Sequence, residues 1–183
     1  MPAEDGPSLS KATFDRLVID HLPAMLGFSI RLTGDPHAAE DVMQEALLRA
    51  ARAWQGLRRA DRFTAWLTRI VVNVFRDRLS RAGAGEPLPD DLSDGRAEDP
   101  AAAAAADETE ALVARAVSQL PPRQREVLIL TVYEQLDARE VADLLDLSIE
   151  NVRTNLHYAR RQLQRRLATL LQGGSDGGRR ATT

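Results

Sequence analysis

Cysteine is absent from the 183-residue sequence, and so is any long apolar run. Without a thiol the chain cannot form disulfides, bind metal through thiolates or use a cysteine nucleophile. No stretch of 18 apolar residues occurs, and the first residues lack the basic and apolar parts of a signal peptide. We therefore expect a cytoplasmic protein with no membrane insertion.

Patterns typical of enzymes are also missing from the sequence. The three histidines, His21, His37 and His157, lie far apart and have no metal-ligand spacing. No phosphate-binding glycine loop or dinucleotide-binding fingerprint occurs in a strand-turn-helix context. The prediction is a protein that is not an enzyme, with no catalytic residues, no metal and no cofactor.

Alternating strand patterns are absent too, and the apolar residues recur at helical spacing throughout. We predict an all-α fold of two small helical domains. The first, at 8–82, has three or four helices, and the second, at 107–172, contains a helix-turn-helix. Between them, 83–106 is rich in Pro, Gly and acidic residues and predicts a flexible linker, and 173–183 predicts a flexible tail.

The net charge of −3 conceals an uneven distribution of charge along the chain. Residues 8–83 carry a net charge of +4, residues 84–110 carry −8, and residues 111–172 carry +2. Within 151–172 there are five Arg residues and no acid. Phosphate binding depends on local positive surfaces, so the overall acidity does not exclude a nucleic-acid partner.

In the first domain, capping residues predict where three helices begin. Ser10 and Asp35 are expected to cap the first two helices and Asp61 the third, while Gly34 ends the first and Pro23 kinks or restarts it. The residues expected to face the core are Phe14, Leu17, Val18, Leu22, Met25, Leu26 and Ile30, then Ala39, Val42, Met43, Ala46, Leu47 and Ala50, then Phe63, Trp66, Leu67, Ile70, Val71, Val74 and Leu79.

In the second domain, a short helix, a tight turn and a long Arg-rich helix follow one another. Capping-box patterns at 107–110 and 137–140 predict two helix starts, and the second helix covers Ala138–Leu145. The turn at 146–148 ends in Ser148, which caps the last helix. This order is typical of a helix-turn-helix DNA-binding domain. The predicted inner face of the last helix contains Ile149, Val152, Leu156, Leu163 and Leu167.

The outer face of this last helix has the chemistry for DNA binding. Arg153, Thr154 and Asn155 lie in its first turns and can form hydrogen bonds with base edges, while Arg160 and Arg161 can contact phosphates. The alternative is a solvated helix surface that happens to be rich in Arg, and the spacing of the residues leaves both interpretations open.

Four sequence strings, in order, extend the argument to the whole chain. They are LTGDPHAAEDVMQEALLRA at 32–50, FTAWLTRIVVN at 63–73, LPPRQREVL at 120–128 and VRTNLHYAR at 152–160. Together they make the chain resemble the extracytoplasmic-function (ECF) sigma factors of bacterial RNA polymerase. The resemblance implies a region 2-like first domain, a region 4-like second domain, and binding to core polymerase and promoter DNA.

The resemblance also implies roles for the matched residues. Asp41, Gln44, Glu45 and Arg49, which we expect to form an uncompensated polar cluster, would bind the clamp helices of the polymerase β′ subunit. Taken alone, their pattern favours ordinary surface charge. The β flap would bind the second domain. The −10 element would be bound by Arg58, Arg59, Asp61, Asn73 and Arg76, and the −35 element by Arg153, Thr154, Asn155, His157, Tyr158, Arg160 and Arg161.

Several residues depart from the family pattern. Asp146 replaces a usual Gly, Asn155 and Tyr158 replace residues that are often Arg, and Glu150 adds a carboxylate near the start of the last helix. Two other functions therefore stay open: a stand-alone helix-turn-helix regulator, and a sigma mimic that titrates an anti-sigma factor. An anti-sigma partner is expected in either the sigma or the mimic interpretation.

Overall fold

The computed structural model describes the backbone of residues 9–82 and 102–176, and side chains within 9–81 and 109–169. The chain divides near residue 91 into two compact units. The described residues form seven α-helices and no strand, so the predicted all-α class is confirmed. Most of the predicted linker, at 83–101, and the end of the predicted tail, at 177–183, lie outside the described residues.

The first unit is a packed set of three helices: α1 (Lys11–Thr33), α2 (Pro36–Ala53) and α3 (Phe63–Ala82). Ser10 caps α1 by accepting a hydrogen bond from the Thr13 backbone N–H, and Asp35 caps α2 by accepting one from Ala38. Gly34 ends α1 with φ 79°, a left-handed conformation that Gly adopts at low cost. These caps agree with the prediction.

At Pro23 and Asp61 the structure decides against part of the prediction. Helix α1 continues through Pro23, so of the two expected outcomes, a kink or a restart, the restart does not occur. Asp61 does not cap α3. It lies inside a short 3-10 turn, Ala60–Arg62, and its carboxylate accepts hydrogen bonds from the Arg59 guanidinium instead.

The core of the first unit is formed by one line of residues from each helix. The predicted Phe14 and Met25 are buried, but Leu22 and Ile30 are 40% and 37% exposed. Phe28 and Leu32 take the inner positions instead, since α1 turns that side toward α2 and α3. The other buried apolar residues are Ala39, Val42, Met43, Ala46, Ala50, Leu57, Phe63, Leu67, Val71, Val72, Val74 and Phe75.

The second unit contains α4 (Ala102–Ser118), α5 (Pro122–Val132), α6 (Ala138–Leu145) and α7 (Ile149–Asp176). Helix α4 begins before the predicted capping box, so that box is wrong: the alanine run has high helix propensity and extends the helix backward. Likewise α7 continues to Asp176, into the segment predicted as tail. Each of the other three helices of this unit contacts α7.

The helix-turn-helix forms as the sequence predicts. Asp137 and Glu140 make a complete capping box at the start of α6. Asp146 ends α6 with φ 56° and ψ 55°, the left-handed conformation that an Asp can adopt. The Ser148 hydroxyl caps α7 by accepting a hydrogen bond from the Asn151 backbone N–H at 3.1 Å. The relative directions of α6 and α7 are therefore fixed by local hydrogen bonds.

The inner face of α7 is only partly as predicted. Val152 is buried, Leu156, Leu163 and Leu167 are half-buried, and Ile149 is 40% exposed because it stands at the helix start, at the edge of the packed face. Ala159, which was not predicted, is fully buried. Its small side chain allows the neighbouring helices to approach α7 closely. None of the described helices could span a membrane.

Candidate nucleic-acid and polymerase interfaces

The outer surface of α2 carries the residues matched to polymerase binding. Asp41 and Gln44 are exposed, and Glu45 and Arg49 are half-buried. Their spacing of three or four residues places them on one side of the helix. Leu48 lies among them and is 54% exposed, which makes it the large apolar side chain of this surface. We call Asp41, Gln44, Glu45, Leu48 and Arg49 the α2 surface.

The charges of the α2 surface are paired, so the expectation of an uncompensated cluster is wrong. Arg49 donates to Glu45 at 2.9 Å within α2 and to Asp77 of α3 at 2.7 Å. Asp41 accepts a hydrogen bond from Nη1 of Arg78, also on α3, at 2.9 Å. The sequence gives little sign of these partners because they lie 28 and 37 residues away.

The hydrogen bonds of Arg49 shift its own pKa and that of Glu45. The hydrogen bond from Arg49 lowers the pKa of Glu45 below its usual value, against an opposing effect of burial. The hydrogen bonds to Asp77 and Glu45 raise the pKa of Arg49. Both shifts favour the ionised forms of Glu45 and Arg49.

The loop between α2 and α3 stands on a cluster of aromatic rings. Phe14 of α1 stacks on Trp54 with ring centroids 5.7 Å apart, and it meets Phe63 and Trp66 edge to face at 6.1 and 6.4 Å. Leu57, in the middle of the loop, is 5% exposed and anchors it to the unit. The aromatic rings and Leu57 therefore fix the loop against the first unit, while Arg58 and Arg59, which follow Leu57, face solvent.

The residues matched to −10 binding lie on this loop and on α3. Arg58 and Arg59 are exposed, and Arg59 holds Asp61 through two hydrogen bonds, at 3.0 and 2.5 Å. This pair lowers the pKa of Asp61 and raises that of Arg59, mainly through the hydrogen bonds. Asn73 is exposed in the middle of α3, and Arg76 follows it one turn later and is half-buried.

One residue beside Asn73 was missed by the sequence argument. Arg69 is exposed and precedes Asn73 by four residues, so Arg69, Asn73 and Arg76 are neighbours along one side of α3. The i, i+4 spacing was the available signal. This stripe gives α3 a basic side that includes an amide, which suits a single strand with a phosphate backbone and unstacked bases.

The outer face of α7 presents most, but not all, of the residues matched to −35 binding. Asn155 is half-buried, and its Nδ2 donates to the Asn151 backbone oxygen at 2.8 Å. Tyr158 is 51% exposed, and its ring packs edge to face against that of His157 at 5.7 Å. The exposed members of the set are Arg153, Thr154, His157, Tyr158, Arg160 and Arg161.

Two further contacts hold α4 and α5 in place around α7. Arg166 of α7 donates to Gln119, at the end of α4, at 2.5 Å. Arg125 of α5 donates to the Ser118 and Leu120 backbone oxygens at the α4–α5 corner, and burial lowers its pKa. These contacts leave the first turns of α7 and their outer side chains exposed.

The described part of the chain contains no group of His, Asp or Glu residues that could hold a metal. His21 is half-buried, its Nδ1 lies 2.8 Å from the Leu17 backbone oxygen, and its ring packs against Phe63 at 5.2 Å. His37 and His157 are exposed.

Comparison with known families matches both units. Residues 17–84 match the family model of sigma-70 region 2, and residues 110–163 match that of sigma-70 region 4. The first match contains the α2 surface, the loop and all of α3. The second contains the helix-turn-helix and the exposed side chains of α7 up to Arg161.

Whole-chain comparisons agree with these matches. The chain is 31% identical over 173 residues to the RNA polymerase sigma-H factor of Pseudomonas aeruginosa, covering 88% of this chain and 90% of that protein. It is 32% identical over 167 residues to the ECF RNA polymerase sigma factor SigE of Mycolicibacterium smegmatis, covering 89% and 65%. CnrH, solved in complex with the cytosolic domain of CnrY, is 27% identical with a TM-score of 0.59, covering 90% of each chain. The chain belongs to the ECF group of RNA polymerase sigma factors.

Proposed function

We propose that this sigma factor binds core RNA polymerase through the α2 surface, contacts the −10 element with its first unit and recognises the −35 element with α7. The observation that supports the proposal is that three surfaces with exposed polar side chains lie within the two ranges that match the sigma-70 family models. These surfaces are the α2 surface, the basic side of α3 with its loop, and the outer face of α7. Sigma factors direct promoter-specific initiation of transcription, and each surface supplies one part of that task.

The α2 surface suits a partner with both cationic and apolar side chains. Asp41 and Glu45 offer carboxylates, Gln44 offers an amide, and Leu48 offers an apolar side chain at the centre. A central apolar residue with a polar rim is typical of protein–protein interfaces. The clamp helices of the β′ subunit are the proposed partner, as the family resemblance implies.

The loop and α3 suit single-stranded DNA better than duplex. Arg58 and Arg59 lie on a loop held by Leu57 and the aromatic cluster, and Asn73 presents an amide from a rigid helix. An amide can form hydrogen bonds with the edge of a base that has left the stack, while Arg side chains hold its phosphates. We assign Arg58, Arg59, Asp61, Asn73 and Arg76 to the −10 element.

The outer face of α7 suits duplex DNA. Because its N-terminal turns are exposed and its start is fixed by Ser148, the helix can enter a major groove with Arg153 and Thr154 near base edges. His157 and Tyr158 lie one turn further on, and Arg160 and Arg161 lie where a helix of this kind meets phosphates. The second unit would also bind the polymerase β flap.

A location and one further partner follow from the proposal. The chain would act in the cytoplasm at the nucleoid, and it would carry out no catalytic step, since the polymerase supplies the chemistry. CnrH was solved with the cytosolic domain of a second protein, CnrY, so this fold can be occupied by another protein. We propose that an anti-sigma factor regulates this chain in a comparable way.

Run-off transcription with purified core polymerase tests the proposal. Promoter-dependent transcripts from a genomic DNA library, absent with core alone, are expected. Binding of an operator duplex without core would instead indicate a stand-alone helix-turn-helix regulator. Tight anti-sigma binding with no transcripts would indicate a sigma mimic. Either of these results would overturn the proposed function.

A further inference from the structure

Two asparagines lie one turn apart near the start of α7 and differ in what their side chains do. Asn155 is half-buried, and its Nδ2 donates to the Asn151 backbone oxygen at 2.8 Å. Asn151 is exposed, and its local hydrogen bonds are made by backbone groups: its N–H donates to the Ser148 hydroxyl, and its backbone oxygen accepts from Asn155. The Asn155 amide is thus engaged within its own helix, whereas the Asn151 amide faces solvent.

The direction of each side chain follows from helix geometry. Successive residues of an α-helix are rotated by about 100°. Val152 is 1% exposed and marks the inner side of α7. Asn151 and Arg153 therefore lie symmetrically, about 100° to either side of Val152, whereas Asn155 lies only about 60° from it. Asn151 therefore lies as far from the buried side of α7 as Arg153 does, on the opposite flank of the helix.

Asn151 also shares a row with other exposed residues of α7. Thr154 and Tyr158 follow it by three and seven residues, which places all three on one side of the helix, and all are exposed. Asn151 is the third residue of the helix, in the turn that Ser148 fixes. A helix that enters a major groove presents these first turns to the base edges.

We propose that Asn151 recognises an adenine of the −35 duplex and that Asn155 is a structural residue of α7. A carboxamide has one donor and one acceptor side by side, and adenine presents the complementary pair, N6–H and N7, in the major groove. A phosphate offers only hydrogen-bond acceptors, so it would pair with the amide N–H and leave the amide oxygen without a partner. The inference rests on the proposed function, because it requires α7 to enter the −35 major groove.

The test uses holoenzyme assembled from core polymerase and the full-length chain. Promoter DNA with a randomised −35 window is bound, separated from unbound DNA and sequenced, for the wild type, Asn151→Ala and Asn155→Ala. The wild type is expected to select adenine at one position. Asn151→Ala should reduce that preference about tenfold, the effect of losing a bidentate contact, and leave the other positions unchanged. Asn155→Ala should keep the whole preference.

A second variant guards against an effect on folding. Asn151→Asp places a carboxylate in the first turn, where the helix dipole favours it, and a carboxylate can accept from cytosine N4. Its preference at that position should change from adenine to cytosine.

Three results would overturn the inference: a uniform loss of binding in Asn151→Ala, no change in it, or loss of the adenine preference in Asn155→Ala. A wild-type holoenzyme that selects no base in the window would also refute the −35 role of α7 itself.

Discussion

The Asp41 carboxylate on α2 accepts a hydrogen bond from Nη1 of Arg78 on α3 at 2.9 Å. Asp41 is one of the residues we assign to polymerase binding. Arg78 therefore lies beside, and is already paired with, a carboxylate of the α2 surface that a partner would use. With Arg49 bonded to both Glu45 and Asp77, the two helices are joined by ion pairs along one edge of this surface. The charges of the α2 surface are therefore balanced in part by residues of α3, Asp77 and Arg78.

Removing the Arg78 guanidinium should strengthen the binding of the α2 surface to polymerase. Arg78→Ala frees the Asp41 carboxylate for a cationic partner, and exposed ion pairs contribute up to about 1 kcal/mol. We expect the affinity for core polymerase to rise by up to about fivefold at low salt, with the difference shrinking as salt screens the charges. Fluorescence anisotropy of the labelled full-length chain, titrated with core polymerase at several salt concentrations, measures the affinity and its salt dependence.

Arg16→Ala is the matched control for this prediction. Arg16 lies on α1 and forms a loose ion pair with Asp20 at 4.0 Å, away from the α2 surface. Arg16→Ala removes the same charge as Arg78→Ala and should leave the affinity for core polymerase unchanged. Weaker binding in Arg78→Ala would mean that Arg78 itself contacts the polymerase, which would contradict the internal role given to it here.

The two DNA-binding surfaces should fail at different steps of initiation. Arg153→Ala should weaken binding to −35 duplex by about 1–3 kcal/mol and relax the choice of one base pair. Asn73→Ala should leave closed-complex formation intact and impair strand opening, because the base that we propose for its amide becomes accessible after melting. Footprinting separates closed from open complexes. Equal loss at both steps in both variants would argue against separate duties.

The Arg59–Asp61 pair predicts a pH dependence in the acidic range. Arg59 holds the pKa of Asp61 below its usual value, so the interaction is fully present above the unfolded-state pKa and is lost as the pH falls through the lower folded-state value. Arg59→Ala should move the Asp61 pKa upward in an NMR titration of the carboxyl carbon. Arg62→Ala, which removes a weaker charge effect, should move it less. An unchanged titration in Arg59→Ala would show that the pair does not persist in solution.

The turn before α7 should be improvable by one substitution. Asp146 has φ 56°, a conformation that costs any residue with a Cβ more than it costs Gly. Asp146→Gly should therefore raise the free energy of unfolding of the second unit by up to about 1 kcal/mol. Urea denaturation monitored by helicity measures it. A loss of stability would mean that the Asp146 side chain contributes more than its backbone conformation costs.

The capping box of α6 gives the opposite prediction for the same unit. Asp137 accepts hydrogen bonds from the Arg139 and Glu140 backbone N–H groups. Asp137→Ala removes both and should lower the free energy of unfolding by about 1 kcal/mol. Asp137→Asn should cost less, because Asn is also a good cap. Urea denaturation of the two variants side by side provides the comparison, and equal losses would point to charge rather than capping as the cause.

What the sequence predicts well is local. Caps at Ser10, Asp35, Asp137 and Ser148 form because each depends on a side chain and a backbone N–H two or three residues apart. For the same reason the turn at Asp146 could be placed by inspection. Both helix-turn-helix helices and the all-α class follow from these signals together with apolar periodicity.

What the sequence misses depends on tertiary contacts. Periodicity alone does not decide which side of α1 faces the core, so Leu22 was expected inside and Phe28 was overlooked. The Asp41–Arg78 pair joins residues that share no spacing rule. Asp61 has cap chemistry but bonds the neighbouring Arg59 instead. Side-chain direction, not residue type, separates Asn151 from Asn155.

Association with core polymerase tests the central claim most directly. The full-length chain, mixed with purified core enzyme at low salt and without any inhibitor, should form a stable holoenzyme on size-exclusion chromatography. Asp41→Ala should weaken that association about tenfold, because binding would bury its carboxylate against a cationic partner. Thermal unfolding should not change, since the residue is exposed and its ion pair contributes little to stability. Failure of the wild-type chain to associate with core polymerase would contradict the account.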